Sequence, residues 1–313
     1  MPTIRIGTFN CENLFARFKF NSNIDPAKAV KNGFDINMIN FDILNETEKK
    51  LTAKAIAALD ADVLALQEVE NLDVLKRFRS ERLKNLKYTF SMLVDGNDPR
   101  QIDLAVLSRF PLVGTRSYQH LRDGNSALFS RDCLEVDVQV NGQILTLFVN
   151  HLKSMLDKNN PSQGRKNTRP KRVKQAAEVK KIVEARFGAS PGSASWAVVG
   201  DLNDFLGPGQ GTTSGITDLV TWSEVENVVD RLPIVTDRWT HFFDGAPAGE
   251  PRVQQLDYIL LSSSLAAGTS ASPIVERRGL STKVTEAVGP RFPGVTAKLE
   301  ASDHCPVAID INL

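Results

Sequence analysis

Short apolar runs recur along the chain: "TIRIGTF" at 3–9, "DVLALQ" at 62–67, "IDLAVLS" at 102–108, "CLEVDVQV" at 133–140, "QILTLFVN" at 143–150, "WAVVG" at 196–200, "QLDYILLS" at 255–262 and "CPVAIDI" at 305–311. Their length and β-branched content predict strands. In "CLEVDVQV", Leu134, Val136, Val138 and Val140 fall on one side and Glu135, Asp137 and Gln139 on the other. Successive side chains of a strand point to opposite faces, so this one is expected to be half exposed. Asn141 and Gly142 follow it, the pair that suits a two-residue hairpin turn into the next strand.

Between these runs the apolar spacing becomes helical. Asn45 with Glu48 forms a capping pair ahead of an apolar face of Leu51, Ala55, Ala58 and Leu59. Residues 71–84 carry Leu72, Leu75, Phe78 and Leu83 at near-helical intervals. A third helix is expected to hold Pro170 in its first turn, Val173, Ala176, Ala177, Val183 and Phe187 on its buried face, and Gly188 at its end. Strands outnumber helices, and hairpins mix with helical crossovers. This predicts an α/β fold of two packed sheets with helices outside, not one all-parallel sheet. No repeat or Pro/Ser-rich linker divides residues 1–313, which read as a single domain. Segments 17–45, 153–169, 205–215 and 244–253 read as long loops, a length associated with function or mobility.

Composition narrows the function classes. The 313 residues are 42% hydrophobic with a formal net charge of +1, so any attraction for nucleic acid or membrane must come from a local patch. Cys11, Cys133 and Cys305 are widely spaced without a C-x-x-C pair, which argues against a disulfide framework and a thiolate zinc site. The start "MPTIRIGTFN" has no basic segment followed by an apolar one. A cytoplasmic location is therefore expected, with secretion open if a leader is missing. No apolar run reaches the length of a membrane span.

Polar residues of one kind collect where the predicted strands end. Asn10, Glu68, His151 and Asp201 with Asn203 stand at such ends; Asp257 opens an apolar run; Asp303 and His304 precede the last strand. Any one of them could be a turn former or cap. Six such endings together point to side chains gathered along one sheet edge. Glu68, Asp303 and Asn10 supply oxygen ligands without thiolates, which suits Mg²⁺, Mn²⁺ or Ca²⁺ better than zinc. A hard cation beside a carboxylate base and an imidazole is equipment for phosphate-ester hydrolysis. The chain has neither a G-x-x-x-x-G-K-[ST] loop nor a G-x-S-x-G elbow, the usual signatures of nucleotide-driven work and serine hydrolysis.

The pieces "TFNCENLF" (8–15), "LQEVEN" (66–71), "IDLAVLSRFP" (102–111), "VNHLKS" (149–154), "VVGDLND" (198–204), "QLDYIL" (255–260) and "SDHCPV" (302–307) resemble, in order, the endonuclease/exonuclease/phosphatase superfamily. The resemblance implies a four-layer α/β/β/α sandwich of two mixed, largely antiparallel sheets. It implies a divalent-metal-dependent phosphoesterase with Asn10, Glu68 and Asp303 at the metal and Asp201 activating water. Asn203 would steady the water or the phosphate, His304 would contact the scissile phosphate, and Asp257 would buttress His304. His151 matches a second histidine of the deoxyribonuclease, sphingomyelinase and 5-phosphatase branches. "FVNHLKS" departs from the abasic-site endonuclease branch, so repair of abasic sites is not expected.

Substrate class rests on charge. Residues 153–174 hold Lys153, Lys158, Arg165, Lys166, Arg169, Lys171, Arg172 and Lys174 against Asp157, and Arg100 adds a cation near another strand. Arg100, Lys153, Lys171, Arg172 and Lys174 are the expected substrate contacts. A polyanion fits them, DNA or RNA first. A phospholipid headgroup or an inositol or sugar phosphate fits as well, as does a non-catalytic phosphate-binding role.

Overall fold

The computed structural model describes residues 3–16, 18–20, 41–43, 46–207, 214–246, 251–286 and 288–313. Asn45, most of the 17–45 loop and the tips of the 205–215 and 244–253 loops lie outside the described residues.

The main elements in chain order are β1 (Thr3–Leu14), α1 (Glu46–Leu59), β2 (Val63–Val69), α2 (Leu72–Arg82), β3 (Phe90–Val94), β4 (Asp103–Ser108), β5 (Leu112–Ser117), β6 (Cys133–Val140), β7 (Gln143–His151), α3 (Gly164–Phe187), β8 (Trp196–Asp201), β9 (Val225–Asn227), β10 (Asp257–Ser262), β11 (Ile274–Val275) and β12 (Val307–Asn312). They build two six-stranded sheets, ordered β11-β12-β1-β2-β4-β3 and β9-β10-β8-β7-β6-β5. In each, one parallel pair is made by a helical crossover: β1 to β2 through α1, and β7 to β8 through α3. A parallel pair needs such a long return. The remaining pairings of these strands are antiparallel.

Alternation along the strands explains the layering. On β1, Ile4 and Ile6 face the second sheet, meeting a core with Val136, Leu147, Val199 and Ile259. Phe9 faces outward, against Ile56 and Leu59 of α1 and Leu75 of α2. On β8, Ala197 and Val199 point inward, while Trp196 and Val198 point out to Val179 and Val183 of α3. Both faces of each sheet are thus covered, giving the expected α/β/β/α sandwich. Among the described residues, no helix is long and apolar enough to cross a membrane.

Each predicted run contains a strand, and the Asn141–Gly142 turn joins β6 to β7 with φ of 48° and 87°, both in the left-handed region that such a turn demands. Two expectations change. β6 is not half exposed: Glu135 and Asp137 are buried and only Gln139 of its polar side is exposed. Arg186 near the end of α3 reaches over the sheet to Glu135 at 3.1 Å and Asp137 at 3.3 Å. Tyr118 Oη donates to Glu135 at 2.8 Å, and Thr146 Oγ1 donates to Asp137 at 2.6 Å. Nor does Pro170 open the third helix, which begins at Gly164. Pro170 and Lys166 are both exposed, so solvent can replace the bond that proline denies to the Lys166 carbonyl. Strands β3, β5, β9 and β11 fall outside the predicted runs: β3 and β5 are nowhere fully buried, and β9 and β11 are very short.

The second helix begins as its sequence implies. Asn71 caps α2, its side chain accepting from the Val74 N–H at 2.9 Å. Asn71→Ala is expected to lower stability by about 1 kcal/mol, seen as a reduced urea midpoint with an unchanged m-value; an unchanged midpoint would deny the cap its role.

Candidate active site

The registers bring the strand-end residues together. β7 and β8 run parallel with His151 opposite Asp201, and β8 runs antiparallel to β10 with Asp201 opposite Asp257. Gly200 makes the first approach possible. Its φ is +134°, and a Cβ there would sit 2.0 Å from the Asn150 carbonyl oxygen. In the other sheet Asn10 comes from within β1, which runs on to Leu14 past an irregularity in its pairing with β2, and Glu68 from the end of β2; Asp303 and His304 come from the segment before β12. All but Asp257, which lies behind the wall, line one cleft of about 460 Å³. Glu68 and Asn203 hold φ of +64° and +52°. Such backbone is costly for non-glycine residues and persists where surrounding contacts impose it.

At the centre, His304 Nδ1 lies 2.9 Å from Asp257 Oδ2, which also accepts from Thr240 Oγ1 at 2.8 Å. Burial opposes a charge on His304, but Asp257 and Asp201 outweigh it and raise its proton affinity well above the usual imidazole range. Its Nε2 lies 3.5 Å from Asn10 Nδ2 and 3.8 Å from Asp201 Oδ2. Asp201 is buried, which pushes its carboxyl up to about 7 against the pull of His304. Three N–H groups hold it: Asn203 N–H at 2.8 Å on Oδ1, and Asn203 Nδ2 at 2.8 Å and Asn10 Nδ2 at 3.0 Å on Oδ2. Asn203 Nδ2 also donates to the Leu152 carbonyl at 3.3 Å. Both its amide hydrogens are therefore committed, and it orients Asp201 directly.

His151 Nε2 lies 3.4 Å from Asp201 Oδ2 and 3.8 Å from Glu68 Oε1. Burial first, then the neighbouring Arg131, depresses its proton affinity well below the usual value. Glu68 is raised by burial and accepts from the Asn13 N–H at 3.1 Å. Asp303 behaves oppositely. Burial works against its charge, but the hydrogen bond to His241 and the charges on His304 and His241 hold it at about 2.

Glu68, Asn10 and Asp303 each line the cleft and each offers a side-chain oxygen. The buried Cys11 nearby is pushed up by burial and offers no thiolate. This chemistry fits a hard divalent cation.

Several residues of the cleft escaped sequence reading. Arg131, 3% exposed, sets Nη2 3.3 Å from His151 Nε2 and donates from Nη1 to the Leu152 carbonyl at 3.3 Å. His241 places Nε2 3.5 Å from Asp303 Oδ2. Glu12 accepts from the Asp303 N–H at 3.0 Å, and loss of solvation beside the cleft, then the charge of Asp303, push its carboxyl up to about 8. Arg131 carried one signal, a charge just ahead of β6; His241, inside "WTHFF", carried none.

The expected substrate contacts separate. Arg100 lines the cleft, its guanidinium gripping Asp98 at 3.0 and 2.9 Å with a largely exposed side chain. Of the other four, only Arg172 is contradicted; Lys153, Lys171 and Lys174 stand outside the cleft lining. Arg172 is fully buried, its Nε 2.9 Å from Asp204 Oδ2, so no substrate reaches it. Lys171 and Lys174 pair with Asp123 at 3.6 and 2.7 Å, outside the cleft lining. Lys153 Nζ turns to its own loop, donating to the Ser154 and Leu156 carbonyls at 3.1 and 3.3 Å. A run of basic residues on a helix divides between outside and inside, and Asp204 supplies the counter-charge inside. Replacing Lys171 and Lys174 by Gln is expected to leave KM for a small phosphodiester within about twofold, as neither lines the cleft; a tenfold rise would place them on the substrate path.

The sequence model of the endonuclease/exonuclease/phosphatase family matches residues 5–265. No curated protein sequence matches the chain. Among solved structures, truncated TDP2 of Caenorhabditis elegans is 16% identical with a TM-score of 0.62, over 99% of this chain and 98% of that one. The human Nocturnin catalytic domain with bound sulfate anion is 16% identical with a TM-score of 0.60, over 99% and 94%. TDP2 of D. rerio, complexed with single strand DNA product, is 15% identical with a TM-score of 0.56, over 99% of both chains. At these identities the likeness is one of fold.

Proposed function

Because the chain belongs to the endonuclease/exonuclease/phosphatase family, whose members are typically divalent-metal-dependent hydrolases of phosphate esters, we propose that it hydrolyses phosphodiester bonds as a nuclease on DNA or RNA with little sequence specificity. The observation that carries this reading is the contact chain Asp257–His304–Asp201, open to a cleft that also holds Glu68, Asn10 and Asp303. The complex of a structurally similar protein with a single strand DNA product supports the choice of nucleic acid.

Glu68, Asn10 and Asp303 would hold a divalent cation, which supplies charge neutralisation at the phosphoryl group and leaving oxygen. Asp201 takes the proton of the attacking water while its two oxygens are held by Asn10 and Asn203. His304 donates its Nε2–H to a phosphoryl oxygen whose charge grows in the transition state, and Asp257 keeps the ring charged and aimed. His151, kept neutral by burial and Arg131, serves as a hydrogen-bonding wall. Arg131 and Arg100 supply positive charge along the approach.

The test is a substrate panel with Mg²⁺, Mn²⁺ and Ca²⁺, with and without chelator: plasmid, linear and single-stranded DNA, RNA, bis-p-nitrophenyl phosphate, sphingomyelin and inositol phosphates. Metal-dependent cleavage of nucleic acid is expected. Cleavage confined to lipid or inositol phosphate would move the reading to a phospholipid phosphodiesterase or phosphatase; no turnover of any ester would favour a binding protein. The pH profile has a definite sign. Activity needs Asp201 ionised and His304 protonated, so kcat is expected to fall below a midpoint at or under about 7 and to fall again in alkali. A rate that keeps rising as pH drops through 5 would remove Asp201 as the base.

A further inference from the structure

We propose that His241, Asp303 and His304 form a second cation site in the cleft, selective for a borderline transition metal such as Zn²⁺, whose occupation inhibits the enzyme. The inhibitory part rests on the proposed function; the binding site does not.

The ligand atoms are already close. Asp303 Oδ2 lies 3.5 Å from His241 Nε2, Asp303 Oδ1 lies 3.9 Å from His304 Nε2, and the three ligand atoms all lie within 4.8 Å of one another. Around tetrahedral zinc, ligand atoms at normal bond lengths stand roughly 3.3 Å apart, so small side-chain movements close the site. Main-chain pairing holds the ligands in place. His241 and His304 form an antiparallel bridge, Phe242 N–H donates to the Asp303 carbonyl at 3.0 Å, and Cys305 N–H donates to the Thr240 carbonyl at 2.6 Å.

The surrounding contacts also resemble a metal site. His304 gives Nδ1 to Asp257 at 2.9 Å, and Thr240 steadies that carboxylate at 2.8 Å. A carboxylate behind an imidazole is the arrangement that orients metal-binding histidines. His241 lies against Phe243, ring centroids 6.4 Å apart, and its Nδ1 has no hydrogen-bond partner among the described residues. All three residues line the cleft, leaving the fourth position to water.

Two imidazoles and a carboxylate favour zinc, cobalt or nickel, whereas Mg²⁺ prefers oxygen. The site therefore differs in chemistry from Glu68 and Asn10 and shares Asp303 with them. A metal on His304 Nε2 displaces its proton to solvent and removes the donor to the phosphoryl oxygen. It also draws Asp303 away from the first cation.

The experiment titrates Co²⁺, as a spectroscopic stand-in for Zn²⁺, into metal-stripped full-length protein in excess Mg²⁺. One equivalent is expected to raise the visible absorption of a four- or five-coordinate cobalt centre, and Zn²⁺ is expected to abolish it. His241→Ala, and His241→Gln in case the first fails to fold, are each expected to weaken Co²⁺ binding at least about tenfold. In parallel, Zn²⁺ inhibition of Mg²⁺-supported hydrolysis of bis-p-nitrophenyl phosphate is measured, each protein against its own uninhibited rate. The half-inhibitory concentration is expected to rise by the same factor in the variants. Equal cobalt affinity in wild type and folded variants, or no visible band in wild type, overturns the site. Equal zinc inhibition despite weakened binding overturns its inhibitory role. Absence of hydrolysis by every protein would instead sink the proposed activity, while the cobalt band still decides the site.

Discussion

His304→Ala is expected to lower kcat on a phosphodiester about 10³-fold, with a much smaller change in KM. The ring is held by Asp257 at 2.9 Å and is the charged member of the cleft's centre, its proton affinity well raised. Its worth lies in the transition state, where charge builds on the phosphoryl oxygen. Losing one such preorganised donor typically removes two to three orders of magnitude, roughly 10²–10³. A second effect adds to this: without the imidazolium, Asp201 loses a charge that favours its ionised form, so the base is less available at neutral pH. Asp257→Asn keeps the shape and removes only the carboxylate's charge, so a smaller loss, about 10–100-fold, is expected. Steady-state kinetics at saturating Mg²⁺ measure both, with thermal unfolding confirming that each variant folds. A His304→Ala enzyme within tenfold of wild type would refute the assignment.

Asp204→Ala is expected to destabilise the protein by about 3–5 kcal/mol, the cost of leaving buried charges without their partner. Asp204 receives Arg165 Nε and Arg172 Nε, each at 2.9 Å, with all three side chains at most 2% exposed. Its carboxylate also accepts the N–H groups of Phe205 at 3.0 Å and Gly215 at 2.8 Å. Arg172 in turn donates to the carbonyls of Arg165 at 2.8 Å and Lys153 at 3.2 Å. This network ties the start of α3 to the segment after β8, one residue beyond Asn203. Truncating Asp204 should therefore also slow catalysis by loosening Asp201. Arg172→Met, which leaves Arg165 paired, should destabilise less. Chemical denaturation checks both, and a loss under 1 kcal/mol for Asp204→Ala would show that the network is not holding this region together.

The same residues show where sequence reading stops. Arg172 and Lys174 look alike in the chain, two residues apart in one basic run. One is fully buried and the other more than half exposed, because helical spacing turns successive charges to different faces. Which face is inside depends on Asp204, 32 residues away from Arg172. The exposed polar side read for β6 failed similarly: Arg186, far along the chain, covers Glu135 and Asp137.

The sequence by itself determined eight of the twelve strands of the two sheets, most of each main helix and the polar residues that gather at the cleft. Those depend on alternation, helical spacing and turn chemistry, which are local. It also determined the family, through ordered motifs from residue 8 to residue 307. Tertiary structure alone decided that Asn203 holds Asp201, that Arg131 and His241 stand in the cleft, and that the basic run is partly interior. Those facts turn on which strand ends meet and which charges lose their water. Register and burial set them across long separations in the chain, and no local pattern records them.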